Sequence, residues 1–402
     1  MGHNRYTATM PGNLSYVMVT PYTIVKSRTG GVLGRLLSRT ELELVGAQMF
    51  TPDITFAREY AYNMRKRSPQ NQIMLLADYV EQKIAPSGGR PHRTLLLLFR
   101  GENPCEQLSA VCGHLYMQNV GLDALSGETI RDTYSDMIFA ENDPEEVTYF
   151  EPAVMTPRNQ EEANEDLAYI AKFLEGKGNI VQNMAYPDPS KIEQTLVIIK
   201  PDNWTHHSSR PGAVIDMFSR TGLRIVGIKI HRLSLAQAME FYGPVESVLM
   251  EKLASGYGSR AREILEREFH LALSKESQAC LAETVGVECA KDQYAQIIEF
   301  MCGKRPPPED REYTQEELNR PCSVKCMILI YEGENAVHKI RNVLGPTDPL
   351  KAPEGTIRRE FGSNIMVNTA HASDSAESYN REKEIVRVNE NSLASIIKDH
   401  LN

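Results

Sequence analysis

GGVLGRLLSRTELELVG, at residues 30–46, recurs in diverged form as PGAVIDMFSRTGLRIVG at residues 211–227. When position 30 is aligned with position 211, the identical residues of the first stretch are Gly31, Ser38, Arg39, Thr40, Leu42, Val45 and Gly46. Further matches follow in the same order, Gly101-Glu102-Asn103 with Gly333-Glu334-Asn335 and Thr129-Ile130-Arg131 with Thr356-Ile357-Arg358. Ordered self-similarity of this kind indicates an internal duplication.

A polar segment bracketed by prolines separates the two copies. Its centre places Leu167, Ile170, Ala171 and Leu174 at helical spacing, which predicts a linker helix packed on one of the domains. The predicted organisation is a first copy at residues 1–155, a linker with a helix at 156–193, and a second copy at 194–402.

Apolar runs in the second copy alternate with segments of helical spacing. The predicted strands are TLVIIK, LRIVGIKIHRL, SVKCMILIY and NIMVN, and the predicted helices are PGAVIDMFSRTG, SLAQAMEFYG, GENAVHKIRNVLG and DSAESYNREKEIV. Ser234 is expected to cap the second helix, and Asp374 with Glu377 to form a capping box on the last. This order predicts an α+β fold of two tandem ferredoxin-like (βαββαβ) domains, each an antiparallel sheet with helices on one face.

The bulk composition narrows the class of protein. The 402 residues, 41% hydrophobic and 24% charged, suit two globular cores, and the net charge of −9 disfavours a broad nucleic-acid surface. Apolar runs are too short to span a membrane, the start lacks a secretory signal, and the odd number of cysteines, 7, favours reduced thiols over disulfides. These features predict a cytoplasmic protein with neither membrane nor nucleic acid as partner.

One histidine stands in a context suited to chemistry. Taken alone, His371 is best interpreted as a structural residue. However, the predicted strand NIMVN ends just before it and a capped helix follows, so phosphate anions would meet unpaired backbone N–H groups there. Imidazole is also a competent nucleophile near neutral pH. The context therefore favours a phosphoryl-accepting histidine.

Three motifs of the second copy resemble nucleoside diphosphate kinases. NTAHASDS at 368–375 is similar to that family's active-site signature, GPTDPLKAPEGTIRREF at 345–361 to its other hallmark, and TLVIIKPD at 195–202 to its first strand. The resemblance covers about residues 193–390, with an insertion. It implies ping-pong transfer of a γ-phosphoryl group from an NTP to an NDP, with His371 as nucleophile and Mg²⁺ carried by the nucleotide.

The resemblance also implies roles for residues that match the family's pattern. Lys200 would place its charge on the transferring phosphoryl group, Arg341 and Arg358 would bind phosphate oxygens, and Thr347 would donate a hydroxyl. Asn368 would hold the sugar hydroxyl. Without this resemblance, Arg341 would be interpreted as a solvated helix residue, and Thr347 as part of a turn.

The other implied site residues lie on both sides of the histidine. Glu382 would fix the imidazole tautomer so that the second nitrogen attacks. Ser373 belongs to the same signature and is assigned to nucleotide binding. Tyr242 matches a tyrosine that lies near the family's histidine, although a core aromatic is an equal alternative. Tyr294 is the nearest candidate for the residue that stacks on the base.

The chain departs from the family in its insertions and in its first copy. Insertions are predicted near 245–291 and 305–321, beside the family's base clamp. In the first copy, the residues in place of Lys200, Arg341 and Thr347 are Thr20, Ser109 and Leu115, and no histidine matches His371, although Arg131 persists where Arg358 stands. We therefore predict a degenerate first domain that serves assembly.

Two interpretations of the whole chain remain. The first is an active kinase, forming a homo-oligomer that could be a trimer of two-domain chains, since the family assembles as hexamers. The alternative is a non-catalytic nucleotide-binding or scaffold protein that retains the kinase-like pocket. Retention of the residues around His371 favours the enzyme, whereas the insertions favour the alternative.

Overall fold

The computed structural model describes residues 12–115, 127–182, 184–308 and 310–402. The first eleven residues, on which the prediction about a secretory signal rests, lie outside these ranges. The elements up to the linker helix are β1 Asn13–Val19, α1 Pro21–Val25, α2 Thr29–Arg39, β2 Glu43–Phe50, α3 Ile54–Arg67, α4 Asn71–Tyr79, β3 Thr94–Gly101, α5 Pro104–Cys112, α6 Ile130–Tyr134, β4 Asp136–Ala140, β5 Asp143–Glu151, β6 Val154–Met155 and α7 Gln160–Leu174.

The second half of the chain repeats this pattern, with four helices between its second and third strands where the first half has α3 and α4. Its elements are β7 Ile192–Ile199, α8 Arg210–Ser219, β8 Arg224–His231, α9 Leu235–Phe269, α10 Lys275–Leu281, α11 Val287–Cys302, α12 Gln315–Asn319, β9 Cys326–Glu334, α13 Ala336–Leu344, α14 Ile357–Phe361, β10 Ala370–Ala372, α15 Ala376–Ile385 and α16 Leu393–Leu401.

Both copies build the same four-stranded antiparallel sheet. The strand orders are β6-β1-β3-β2 in the first copy and β10-β7-β9-β8 in the second. In each order the first strand of the copy lies between the last and the third, as a ferredoxin-like βαββαβ unit requires. The predicted fold class is therefore confirmed. The first copy adds a two-stranded sheet, β4-β5, which the sequence did not predict.

Helices cover both faces of the first sheet, whereas we expected them on one. Tyr16 on β1 donates its hydroxyl to Asp166 of α7 and packs in a core with α3 and α4. The preceding residue, Ser15, accepts a hydrogen bond from the Cys105 thiol of α5. Neighbouring residues on a strand point to opposite faces. The sheet is thus a buried layer between helices.

The two copies pack directly on one another. Helix α2 contacts α8, and β2 contacts β8. A Cβ atom at Gly212 would collide with the carbonyl oxygen of Gly30, so only glycine allows this approach of the helix backbones.

Two helices from outside the first copy pack in its core. The linker helix α7 buries Leu167 and Leu174 in the core of the first copy, as its spacing predicted. The C-terminal helix α16 joins the same core through Leu393 and Ile397, although it follows the second copy in sequence. The first copy therefore depends on residues outside its predicted boundaries.

The helices α9–α12 form a compact unit of their own, Arg232–Lys325, while residues 9–231 and 326–402 form the other. Ser234 caps α9 as predicted, by accepting the backbone N–H of Gln237. The helix then continues through Pro244 to Phe269, well beyond the predicted segment. Both predicted insertions fall in this inserted unit.

Two local predictions near the C-terminus were wrong. NIMVN at 364–368 forms bends, and the last strand is β10, so His371 lies within a strand. Ser375, rather than Asp374, caps α15 by accepting the N–H of Ser378. The pairing of β10 with β7 decides the strand's position here, over local strand propensity.

Two further findings concern the cysteines and the hydropathy of the helices. All seven cysteines are free thiols. Within the described ranges, none of the helices combines the length and apolar character that crossing a bilayer requires.

Candidate active site

The candidate site begins at an imidazole backed by a buried carboxylate. His371 pairs with Ile198 across β10 and β7, and its ring lies 22% exposed. Its Nε2 lies 3.0 Å from Oε2 of Glu382. Glu382 belongs to α15 and is 3% exposed. Ser373 donates its hydroxyl to the same carboxylate oxygen at 2.6 Å. A buried carboxylate with two donors holds one orientation, and therefore fixes the imidazole.

Lys200 lies two residues beyond the strand partner of His371. Residues two apart on an extended chain share a face, so the lysine lies on the same side of the sheet as the imidazole. Its Nζ donates to Oδ1 of Asn368 at 2.7 Å, and the side chain is buried. Burial, and then repulsion by Arg358, lowers the pKa of Lys200 to about 8, while Asp202 acts in the opposite direction.

Asn368 connects three parts of the site. While Oδ1 accepts from Lys200, Nδ2 donates to the carbonyl oxygens of Thr347 at 3.0 Å and of Ile365 at 2.8 Å. The amide was predicted to hold a sugar hydroxyl, and the structure shows that it also positions the lysine and the loop that carries Thr347.

Arg358, on α14, is buried. Its guanidinium donates to the carbonyl oxygen of Gly345 at 3.0 Å and to that of Ala370 at 3.0 Å. It therefore ties the turn after α13 to the strand that carries His371. Arg341 and Thr347, in contrast, are exposed at the surface of the same region, where a ligand can reach them.

The sequence reasoning missed two residues that shape the site. Thr369 has a left-handed backbone (φ 74°), which is uncommon for a threonine, and its carbonyl oxygen accepts the backbone N–H of Lys200. Arg210, at the start of α8, donates to the Thr369 hydroxyl and to Asp202. Arg210 follows the His- and Ser-rich loop, and only its contacts across the fold identify it.

Tyr242 and Tyr294 belong to the inserted unit, whereas the other predicted site residues lie in the sheet unit. Tyr242 is half-buried on α9, with its ring centroid 5.2 Å from that of Phe241. Tyr294 on α11 is only 8% exposed, and burial, with a contribution from Glu246, raises its pKa to about 12.

The first copy preserves the frame of this site without its reactive groups. Gly101 and Gly333 occupy equivalent register positions, which makes Met18 equivalent to Ile198 and Met155 equivalent to His371. At the place of Glu382 stands Asp166, which accepts hydrogen bonds from Tyr16 at 2.7 Å and from Arg67 at 2.6 Å.

Fold and site together define a class: duplicated ferredoxin-like proteins in which one copy presents a carboxylate-backed histidine beside a buried lysine. A family model described as "Nucleoside diphosphate kinase" matches residues 193–250 and 307–391. The nucleoside diphosphate kinase of Paracoccus denitrificans is 31% identical over 191 residues, covering 48% of this chain and 90% of that protein. That of Anaeromyxobacter sp. strain Fw109-5 is 30% identical over 185 residues, covering 46% and 82%.

The chain therefore belongs to the nucleoside diphosphate kinase family. The family model leaves out residues 251–306, most of α9–α11, and the first copy. A crystal structure of an NDP kinase from Pyrobaculum aerophilum aligns at 23% identity, covering 50% of this chain and all of that one, with a TM-score of 0.33.

Proposed function

We propose that the second copy is a nucleoside diphosphate kinase that transfers the γ-phosphoryl group of an NTP to an NDP through His371. The observation that carries this proposal is the 3.0 Å contact between Nε2 of His371 and Glu382. A carboxylate accepts, so Nε2 carries the proton, and the lone pair needed for attack resides on Nδ1.

The reaction then proceeds in two balanced steps. Nδ1 attacks the γ-phosphorus, a P–N bond forms, and the bond to the oxygen that bridges the γ- and β-phosphates breaks, releasing an NDP. In the second step a terminal β-phosphate oxygen of the acceptor NDP attacks the phosphohistidine, and the P–N bond breaks. Neither step requires a net proton transfer, which suits a site whose buried carboxylate only orients the ring.

The cations around His371 suit a transferring phosphoryl group. Lys200 provides a desolvated charge on the imidazole's side of the sheet, where electrostatic interactions are strong. Arg341, which is exposed, would close on the phosphates from the outside. Mg²⁺ would arrive with the nucleotide as part of the substrate. Asn368 Oδ1, which holds Lys200, has a second lone pair for a sugar hydroxyl.

Base binding would involve the tyrosines of the inserted unit. Tyr294 would have to expose its ring for a base to stack on it, because the side chain is 8% exposed. Tyr242 stays a proposed neighbour of the histidine. The contact between α2 and α8 already pairs the two copies within one chain, and this supports assembly into trimers of two-domain chains.

Incubation of the protein with γ-labelled ATP and Mg²⁺ tests the proposal. We expect label that is acid-labile and alkali-stable, that appears in stoichiometric amount, and that is discharged by added NDP. His371→Ala should abolish it, whereas His338→Ala, on the exposed surface of α13, should not. Nucleotide binding without label would instead support the non-catalytic alternative, which the insertion beside the expected base site favours.

A further inference from the structure

A second cavity with cationic walls lies between the two copies, and it shares no lining residue with the candidate active site. It measures about 480 Å³, within the range of small-ligand pockets. Its wall combines Ile24 and Arg93 of the first copy, Ala185 of the linker, and Arg224 of the second copy. Arg90 and His92 line it as well, and none of its described lining residues is acidic.

Arg93 dominates this cavity because it is buried and, among the described residues, forms no direct salt bridge. The side chain is 8% exposed, and one of its terminal nitrogens donates to the carbonyl oxygen of Ile225 at 2.6 Å. The charge of Glu332 acts on the guanidinium in the direction that raises its pKa, but more weakly than burial and Arg224 lower it. Burial, and then repulsion by Arg224, lowers the pKa of Arg93 to about 10. A desolvated charge without a partner is costly to the fold.

Arg224 provides a second guanidinium in the lining of the cavity. It donates to the carbonyl oxygen of Ala185 at 2.8 Å and stacks 4.2 Å from the ring centroid of Tyr186. Neither of these partners carries a negative charge that would neutralise the guanidinium. The carboxylate of Glu332 accepts hydrogen bonds from Tyr186 and Gln194 and does not line the cavity. Two arginines held by neutral partners therefore face one cavity.

We propose that this cavity binds a small phosphate-type oxyanion, held between Arg93 and Arg224 and separate from the kinase site. A guanidinium presents a planar set of N–H donors that matches phosphate oxygens in bidentate geometry, and a desolvated ion pair of this kind is strong. Because the wall draws on both copies and the linker, the bound anion would stabilise their packing. The chemistry fits inorganic phosphate or diphosphate, or the phosphate group of a nucleotide.

The test uses the full chain carrying Lys200→Ala and Arg341→Ala, which weaken the other phosphate site. Isothermal titration at low salt with diphosphate should still show one binding event. In this background Arg93→Gln and, separately, Arg224→Gln should weaken that event at least tenfold, while Arg58→Gln, at an exposed position on α3, should leave it unchanged. A second titration with AMP distinguishes the sources: tighter binding than inorganic phosphate assigns the site to a nucleotide.

Thermal melting provides a second measurement. Diphosphate should raise the melting temperature of the background protein and leave that of the Arg224→Gln variant unchanged. Absence of any residual binding, or residual binding that neither arginine substitution alters in folded protein, would overturn the proposal. If Arg93→Gln fails to fold, Arg224→Gln decides alone, since its partners are a surface stack and one linker carbonyl.

Discussion

The two copies of this chain share one frame and differ in the groups placed on it. Arg131 donates to the carbonyl oxygens of Gly113 and Val154, as Arg358 does to those of Gly345 and Ala370. Gly113 and Gly345 have the same φ of 84°. The equivalent arginine therefore ties a turn to the last strand even in the first copy, where Met155 stands at the place of His371.

The same comparison shows which unusual backbone geometry belongs to the fold and not to the candidate site. Ala153 in the first copy (φ 61°) and Thr369 in the second (φ 74°) both adopt a left-handed backbone just before the last strand. The carbonyl oxygen of each accepts the backbone N–H of the residue that directly follows the first strand, Thr20 or Lys200. Because both copies keep this geometry, it belongs to the fold. What distinguishes the second copy is the lysine and the histidine, because Asp166 provides a buried carboxylate at the place of Glu382 in the first copy.

Placing the first copy's residue in the second copy tests that distinction with the largest expected effect. Lys200→Thr should lower kcat by about 10²–10³-fold, the usual loss when one electrostatic contact to a transition state is removed. The circular dichroism spectrum should be unchanged. Thr20→Val, at the equivalent position of the first copy, should leave kcat unaltered. Equal losses from both substitutions would mean that the position acts through the fold.

The paired arginines predict a smaller effect on stability. Arg358→Ala and Arg131→Ala each remove two charge-assisted hydrogen bonds to carbonyls, so each should lower the free energy of unfolding by about 2–4 kcal/mol. Only Arg358→Ala should also reduce kinase activity. Denaturant titration with parallel activity assays measures both, with the exposed Arg220→Ala as control. A destabilisation confined to one copy would contradict the shared structural role.

The sequence predicted the parts of the molecule that depend on local pattern. Matched glycines and apolar runs identified two sheets of the same order. The resemblance implied that Glu382, 11 residues after His371, contacts the imidazole, and the two side chains lie in contact. The linker helix was read from the spacing of its apolar residues, which the core of the first copy buries.

Long-range contacts explain what the sequence did not predict. The last strand forms at 370–372 because β7 offers a pairing edge there, although NIMVN has the stronger strand propensity. Helix α16 packs on the first copy, and Arg210 reaches Thr369 from a distant loop. No local pattern encodes such contacts. Helix α9 continues through Pro244, where the local signal indicated an end.

The smallest predicted effect is a pH dependence that the first copy lacks. The pKa of Lys200 is lowered to about 8 by burial and by Arg358, so its charge is lost as pH rises through 8. Kinase activity should fall by about tenfold per unit above that pH, because the neutral amine no longer stabilises the phosphoryl group.

Stability should respond in the opposite direction. An unfolded lysine keeps its proton up to about pH 10.4, so the unfolded state binds more protons than the folded state above pH 8. The contribution of Lys200 to the free energy of unfolding therefore rises between those two values, as the cost of the buried charge disappears. Lys200→Thr, which places the first copy's residue here, should remove both slopes. If wild-type activity stayed constant from pH 7.5 to about 9.5, a charged lysine would not be required, and the contrast between the copies would rest on His371 alone.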